Sequence, residues 1–301
     1  MAEVAIIGAG AVGTASAGAV LQSGIASRLR IYDRDGDRAR GEALDFKHAA
    51  PLLPECEIDG GSLAELEPAD VAIVAAGARP RSGHSRLEVL DANLEVAAAV
   101  AEAVAPAPPR VAIVVSNPVD ALTECFRRAW APLGVNVFGT GTALDSWRLR
   151  ELLAARLGVH PANVHAWVIG EHGLSAVFPF SCARVGPFRL DDFAARRGVA
   201  LDTAVIADQV RKAGPRVHEL KGSTSSAIAL TAARLAEHVL REGGYLSPVS
   251  VPVEDGLCAS LPAPLGAAGA GEPLDLVLDA AERSAWEASL AVLRDAAARI
   301  P

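Results

Sequence analysis

Lysine is almost absent from this chain of 301 residues: Lys47, Lys212 and Lys221 are all there is, and arginine carries nearly all the positive charge. With 28 basic against 36 acidic residues the formal net charge is -8. That balance excludes the basic stripe that nucleic acid or an anionic membrane requires. Paired cysteines are also missing. Cys56, Cys125, Cys182 and Cys258 stand far apart with no C-x-x-C, so neither a metal knuckle nor a disulfide framework is expected, and the thiols suit a reducing compartment. No apolar run reaches the ~20 residues of a membrane span. The first strand-like run begins at Val4 with no basic segment or signal-type stretch before it. These absences point to a cytoplasmic protein whose partner is small and soluble, without metal, nucleic acid or membrane.

What is present favours a folded enzyme-sized chain. Hydrophobic residues make up 51% and charged residues 21%, enough apolar surface to offset the entropy of ordering the chain. The length suggests roughly two domains. Val4-Ala-Ile-Ile7 is a continuous apolar run of the kind buried on both faces of a parallel sheet. It leads into Gly8-Ala-Gly10-Ala-Val12-Gly13 and then an Ala-rich helical stretch. A second strand, Leu29 to Tyr32, ends at Asp33, twenty residues after Gly13. Strand, G-x-G-x-x-G, helix and a following acid form the dinucleotide-binding pattern. Gly8 makes the tight turn, Gly10 lets backbone approach a pyrophosphate, and Gly13 lets helix pack on strand. Asp33 can accept hydrogen bonds from ribose hydroxyls and would repel a phosphate, which favours NAD over NADP. Arg34 follows at once and could receive that phosphate, so at this point the alternative stays open.

The alternation continues with a helix over 35–48, a strand over 70–76, a helix over 86–104, a strand over 111–116, a helix over 119–131 and a short strand over 135–138. The pattern predicts an α/β fold: a Rossmann doubly wound parallel sheet with ligands beyond the carboxyl ends of its strands, followed by a mixed α/β substrate domain. We expect the boundary near residue 141, giving an NAD-binding domain over 1–141 and a substrate domain over 142–301. Helices are expected over 201–220, 222–241 and 279–299, β-like runs from Tyr245, and a hairpin connection at 266–271.

The polar residues of interest fall at the predicted strand ends. The loop from Gly77 to Arg86, rich in Gly, Pro, Ser and Arg, fits either a solvated surface loop or a lid that brings cations to a site. Ser116-Asn117-Pro118 follows another strand, and Asn117 can donate to and accept from a bound carbonyl while also serving a plain Asn-Pro turn. Asp145 and Arg148, three apart on one helical face, fit a surface ion pair as well as a site. The run Val164 to Gly170 is strand-like and delivers Glu171 and His172 into a turn. A lone histidine there is more often ordinary than catalytic, and its meaning depends on its companions.

Five segments in order make those companions specific. G-A-G-A-V-G with Asp33, Ser85-Arg86-Leu87, Ser116-Asn117-Pro118, Leu144-Asp145-Ser146-Trp147-Arg148 and Ile169-Gly-Glu-His172-Gly together resemble the lactate/malate dehydrogenase family, from Val4 to about Leu230 and more loosely beyond. The resemblance implies NAD as cofactor and interconversion of 2-hydroxy and 2-oxo acids. It implies His172 as acid/base, Asp145 as its ring partner, Arg148 on the substrate carboxylate and Arg86 on the polarised carbonyl. Asn117 and Thr224 would contact substrate. Ala76, Gly77, Ser116, Asn117 and Ile228 join Gly8, Gly10, Val12, Gly13 and Asp33 around the cofactor. Chemistry agrees on His172, the one side chain in these motifs that ordinarily titrates near neutrality.

The substrate stays open within the family. At the loop position that separates lactate enzymes (Gln) from malate enzymes (Arg) this chain has Pro80, with Arg79 and Arg81 on either side to answer a second carboxylate. Thr142, Glu171 and Thr224 are more like the lactate branch. L-lactate/pyruvate is therefore first, malate second, and a bulkier 2-hydroxy acid third. A non-catalytic NAD-binding protein on the same fold is the alternative of another class. Arg150 and His165 match the basic pair with which bacterial lactate dehydrogenases bind fructose 1,6-bisphosphate between subunits. A helix Arg and a surface strand His explain them equally well. A homo-oligomer is implied, with a tetramer favoured over a dimer.

Overall fold

A computed structural model describes residues 2–78 and 86–300, and the side chains of all of these except 86–88. Val4-Ala-Ile-Ile7 lies in β1 (Glu3–Ile7) with every side chain of the run buried. It pairs in parallel with β2 (Arg28–Asp33) on one side and β4 (Val71–Val74) on the other. The chain order reverses at β1. Beyond β2 lies β3 (Glu57–Ser62), and beyond β4 lie β5 (Val111–Val114) and β6 (Asn136–Gly139), all parallel. The 3-2-1-4-5-6 order places a ligand cleft where β1 and β4 diverge.

Alternation along these strands makes two cores. Val4, Ile6, Leu29, Ile31, Val71 and Ile73 face α1 (Ala11–Ser23), α2 (Gly36–His48) and α8 (Ser226–Leu240). Ala5, Ile7, Ala72 and Val74 face α3 (Arg86–Val104) and α4 (Val119–Trp130). Each fully buried aliphatic side chain contributes about 1.5–3 kcal/mol. The two faces therefore fix the sheet firmly beneath its polar carboxyl edge.

The second half extends the sheet rather than standing apart from it. The hairpin of β10 (Tyr245–Glu254) and β11 (Leu257–Gly266), with β12 (Gly269–Ala270), joins antiparallel to β6 through Ser250 opposite Gly139. The sheet thus has nine strands among the described residues. A third core holds α5 (Ala143–Leu157), α6 (Leu190–Arg196) and α7 (Thr203–Lys221) against a small sheet of β7 (Val164–His165), β8 (Arg184–Val185) and β9 (Phe188–Arg189). Helix α9 (Ala280–Ala297) closes the chain against β11.

Three local expectations need correction. The strand β3 is absent from the sequence pattern because it lies at the edge of the sheet, and only Ile58 of Glu57-Ile-Asp-Gly-Gly-Ser62 packs into the core. The run 164–170 is not one strand. After His165 it is held by single bridges, Ile169 to Val177 and Gly170 to Ser260. Helix α8 starts at Ser226, not Gly222: Gly222 ends α7 in the left-handed conformation, and 223–225 form a link.

Candidate active site

On the nucleotide side, β1 runs into Gly8, whose φ of +106° and whose approach to Ala76 leave no room for a side chain. A Cβ on Gly8 would lie 2.6 Å from the Ala76 nitrogen, and one on Gly13 would run into the Gly8 carbonyl. Gly10 caps α1 without a side-chain hydrogen bond, and nothing stands within 4 Å of where its Cβ would be. The start of α1 is thus open beside Gly10, as the approach of an anion to a helix N-terminus requires. Asp33 ends β2, and its carboxylate accepts from the Ala9 N–H at 2.7 Å and the Asp35 N–H at 3.0 Å. Gly8, Gly10, Asp33, Ala76 and Gly77 line a cleft of about 760 Å³, with Arg34 also on its wall. Ser116 stands behind it, its hydroxyl donating to the Ala76 carbonyl at 2.6 Å. The glycine cradle and the acid at the strand end fit NAD.

A second cavity, of about 380 Å³, gathers the chemistry. Asn117, Asp145, Arg148, His172 and Thr224 line it, with Val12 and Ile228 on the cofactor side. Asp145, in the first turn of α5, places Oδ2 at 2.6 Å from Nδ1 of His172 and Oδ1 at 2.9 Å from Nη1 of Arg148. The Asp145 side chain is 10% exposed and that of His172 29%. Burial disfavours the imidazolium, but the Asp145 charge and hydrogen bond, with Asp120 adding, outweigh it and hold the His172 pKa above its ordinary value. Burial also acts against the Asp145 carboxylate, and His172 and Arg148 overcome it and hold that pKa down.

The alignment of Asp145 with His172 is built by neighbouring hydroxyls. Thr142, which caps α5, donates its hydroxyl to the Val168 carbonyl, and the Ser146 hydroxyl accepts from the Val168 N–H at 2.8 Å. Both polar groups of Val168 are thus pinned to α5, four residues before His172. Gly170 then turns at φ +82°, the Glu171 N–H donates to Ser289 at 2.8 Å, and the His172 N–H donates to Asp120 Oδ2 at 2.9 Å. The ring cannot easily drift.

The structure also adds a residue that the sequence pattern did not single out. Arg211, on α7, lines the cavity, donates to the Ala176 carbonyl at 2.9 Å and lies 4.7 Å from the centre of the Phe178 ring. Its signal in the sequence is faint, an arginine one residue past the apolar face of a helix. Beside it Gly214 and Pro215 form a wall inside α7. Arg79, Pro80 and Arg81 lie outside the described residues, as does the side chain of Arg86, whose backbone opens α3. Arg150 and His165 are away from the cavity lining. The Arg150 guanidinium lies 4.9 Å and 4.4 Å from the rings of Trp147 and Trp167 and donates to the Ala166 carbonyl at 3.0 Å, while His165 is exposed on β7.

Comparison with known proteins agrees with this geometry. Residues 2–139 match the NAD binding domain of lactate/malate dehydrogenase, and residues 142–300 match the alpha/beta C-terminal domain of the same family. An L-lactate dehydrogenase of Thermus aquaticus is 38% identical, with 99% of each chain covered. Among solved structures, a minor L-lactate dehydrogenase from Enterococcus mundtii in a ligand-bound form superposes with a TM-score of 0.91 at 28% identity, covering 100% of this chain and 98% of that one. The malate dehydrogenase of Picrophilus torridus gives a TM-score of 0.89 at 26% identity, covering 99% and 96%. With its glycine cradle, its Asp145–His172 pair and both halves matched, the chain belongs to the lactate/malate dehydrogenase family of NAD-dependent oxidoreductases.

Proposed function

We propose that this chain interconverts L-lactate and pyruvate with NAD, and that His172 is its acid/base. The observation that carries the proposal is the 2.6 Å contact between Asp145 and Nδ1 of His172 inside a cavity that also holds Arg148. With Nδ1 bound to Asp145, Nε2 is the nitrogen left to exchange a proton with the C2 oxygen. Arg148 offers a planar pair of donors to the substrate carboxylate, a geometry lysine does not reproduce. Asn117 and Thr224 orient the substrate, and Arg86 opposes the charge that develops on the carbonyl oxygen. Gly8, Gly10, Gly13, Asp33, Ala76, Gly77 and Ser116 hold the cofactor, with Val12 and Ile228 against its nicotinamide end. When bound, NADH supplies the hydride. We place the working boundary between the cofactor half and the substrate half at residue 141.

Lactate is preferred over malate because relatives such as those of Fervidobacterium nodosum and Thermus aquaticus, matched over nearly the whole chain, are named L-lactate dehydrogenase, and because Thr142, Glu171 and Thr224 fit that branch. Malate keeps a place through Arg79 and Arg81 beside Pro80. NADH oxidation assayed in parallel with pyruvate, oxaloacetate and 2-oxoisocaproate decides. Pyruvate is expected to give the highest kcat/KM, and a preference for either other acid overturns the assignment. His172→Ala is expected to abolish turnover while NADH still binds.

Among the described residues no helix is long and apolar enough to cross a membrane, and a cytoplasmic setting fits the isolated cysteines. A homo-oligomer, with a tetramer ahead of a dimer, would bring Arg150 and His165 of facing subunits around fructose 1,6-bisphosphate. The solvent-facing His165 and the absence of a carboxylate partner for Arg150 among the described residues support this. Addition of the bisphosphate should raise activity or shift the protein to tetramer, and no response removes the effector.

A further inference from the structure

The carboxylate of Asp120, in the first turn of α4, is almost fully buried and touches the candidate acid/base from behind. Its Oδ2 accepts from the His172 N–H at 2.9 Å, and its Oδ1 accepts from the Ser250 hydroxyl at 2.6 Å. Ser250 sits on β10 at the point where the hairpin joins the parallel sheet opposite Gly139. One carboxylate therefore ties together α4, the added hairpin and the turn that carries His172. A buried carboxylate is costly unless it is paired and hydrogen-bonded. Neither of its two hydrogen-bonding partners is a cation, which leaves the His172 ring as the positive charge nearest in function.

Resting on the reading of His172 as acid/base, we propose that Asp120 is a second positioning residue for it: Asp145 fixes the ring, and Asp120 fixes the backbone and adds a buried negative charge that favours the imidazolium. The groups that face this pair come from several elements. Asp145 and Arg148 reach His172 from α5, with opposite effects on its proton. Glu171 precedes it on the same turn and acts against a charge on Asp120. Glu124 lies one turn along α4, and the buried Cys258 thiol faces both acids from β11. Burial pushes the Asp120 carboxyl up to about 6, against the Ser250 and His172 hydrogen bonds. Around neutrality the carboxylate form is favoured, and acidification removes the charge. Asp120 lines neither the cofactor cleft nor the cavity, and its effect passes wholly through His172.

Asp120→Asn separates charge from geometry. Asparagine can keep its carbonyl on the His172 N–H and turn its amide toward the Ser250 oxygen, so both contacts survive while the charge is lost. The expected result is a downward shift of about half a pH unit or more in both limbs that report His172: the loss of pyruvate reduction at high pH and the rise of lactate oxidation from low pH. NADH affinity, read by fluorescence, stays unchanged. Asp120→Ala, which also removes the contacts, should lose kcat further at similar KM. If Asp120→Asn does not fold, Ser250→Ala decides: without that donor Asp120 gives up its charge at higher pH, and the limbs move down by a smaller amount. Limbs that stay in place in the variant that folds overturn the proposal. An active His172→Ala protein would instead overturn the acid/base reading on which it rests, and so the two failures are distinguishable.

Discussion

Asp145 holds Nδ1 of His172 at 2.6 Å with one oxygen while its other oxygen is occupied by Arg148 at 2.9 Å. The residue proposed to transfer the proton and the cation proposed to hold the substrate carboxylate are thus oriented by the same side chain. Asp145→Asn is expected to disturb both. An amide nitrogen facing Nδ1 selects the wrong tautomer, and kcat for pyruvate reduction should fall by about 10²–10⁴. Steady-state kinetics with the NADH affinity measured separately check this, since the cofactor cleft does not depend on Asp145.

The pH dependence follows from the sign of the His172 shift. Its pKa is held above the ordinary value, chiefly by Asp145 acting against burial. Pyruvate reduction needs the imidazolium, so kcat/KM should stay full at low pH and fall through a midpoint above about 6.5, the reference for histidine. Lactate oxidation needs the neutral ring and should rise through the same region. In Asp145→Asn both midpoints should move downward, because the largest raising contribution is gone. A pH series in both directions, with wild type and variant, tests the sign directly.

Arg148→Lys is expected to raise KM for pyruvate much more than it lowers kcat. A lysine keeps the charge and loses the two-pronged geometry, and a charge-assisted hydrogen bond contributes about 1.5–3 kcal/mol, equivalent to about 10–100-fold in kcat/KM. NADH binding should not change. A uniform loss of kcat with KM unaltered would place Arg148 in support of Asp145 alone.

What the sequence made legible and what it concealed divide along physical lines. Gly8 and Gly13 could be recognised because their positions tolerate no Cβ, a demand that restricts residue type at a fixed spacing. Asp145, Arg148 and His172 stood out only in company: each alone fits an ordinary ion pair or turn, and the order of the five segments singled them out. The strand β3 was hidden because an edge strand with one inward side chain lacks the apolar run that marks its neighbours. Arg211 was hidden for a different reason: a single arginine within a helix has the same appearance whether it faces solvent or, as here, a cavity. The hydroxyls of Thr142 and Ser146 and the carboxylate of Asp120 act on backbone groups, and a backbone partner leaves no trace in the sequence of the partner. The fold and the candidate residues that share the cavity were readable, and the scaffold that aligns them was not.

That scaffold is itself testable at Val168. Thr142 and Ser146 are fully or almost fully buried, and between them they satisfy its carbonyl and its N–H. Thr142→Val or Ser146→Ala leaves a buried backbone group unpaired, at a cost of about 1–3 kcal/mol. Each should lower Tm by several degrees. Because Val168 leads into the His172 turn, kcat should fall as well, with NADH affinity unchanged. The double variant should lose less stability than the sum of the two, since both hydroxyls hold one residue. Thermal unfolding alongside kinetics separates the two effects, and full additivity would mean that the hydroxyls act independently.

The proposed role of Asp33 is to set the cofactor preference, and its position gives the effect of replacing it two parts. The carboxylate ends β2 on the cleft wall, where ribose hydroxyls would meet it, and it already accepts the Ala9 N–H of the glycine turn at 2.7 Å. Asp33→Asn keeps an acceptor for Ala9 and removes the charge that repels a phosphate. It should weaken NADH binding by about 10-fold, near the ~1.4 kcal/mol expected of one hydrogen bond whose charge is lost. It should improve NADPH binding, with Arg34 on the same wall to receive the added phosphate. Asp33→Ala also frees the Ala9 N–H, so it should weaken both cofactors through a loosened turn. Dissociation constants for NADH and NADPH with the two variants check the division. If Asp33→Asn leaves the NADH to NADPH ratio at its wild-type value, the carboxylate serves the glycine turn alone and discrimination lies elsewhere in the cleft.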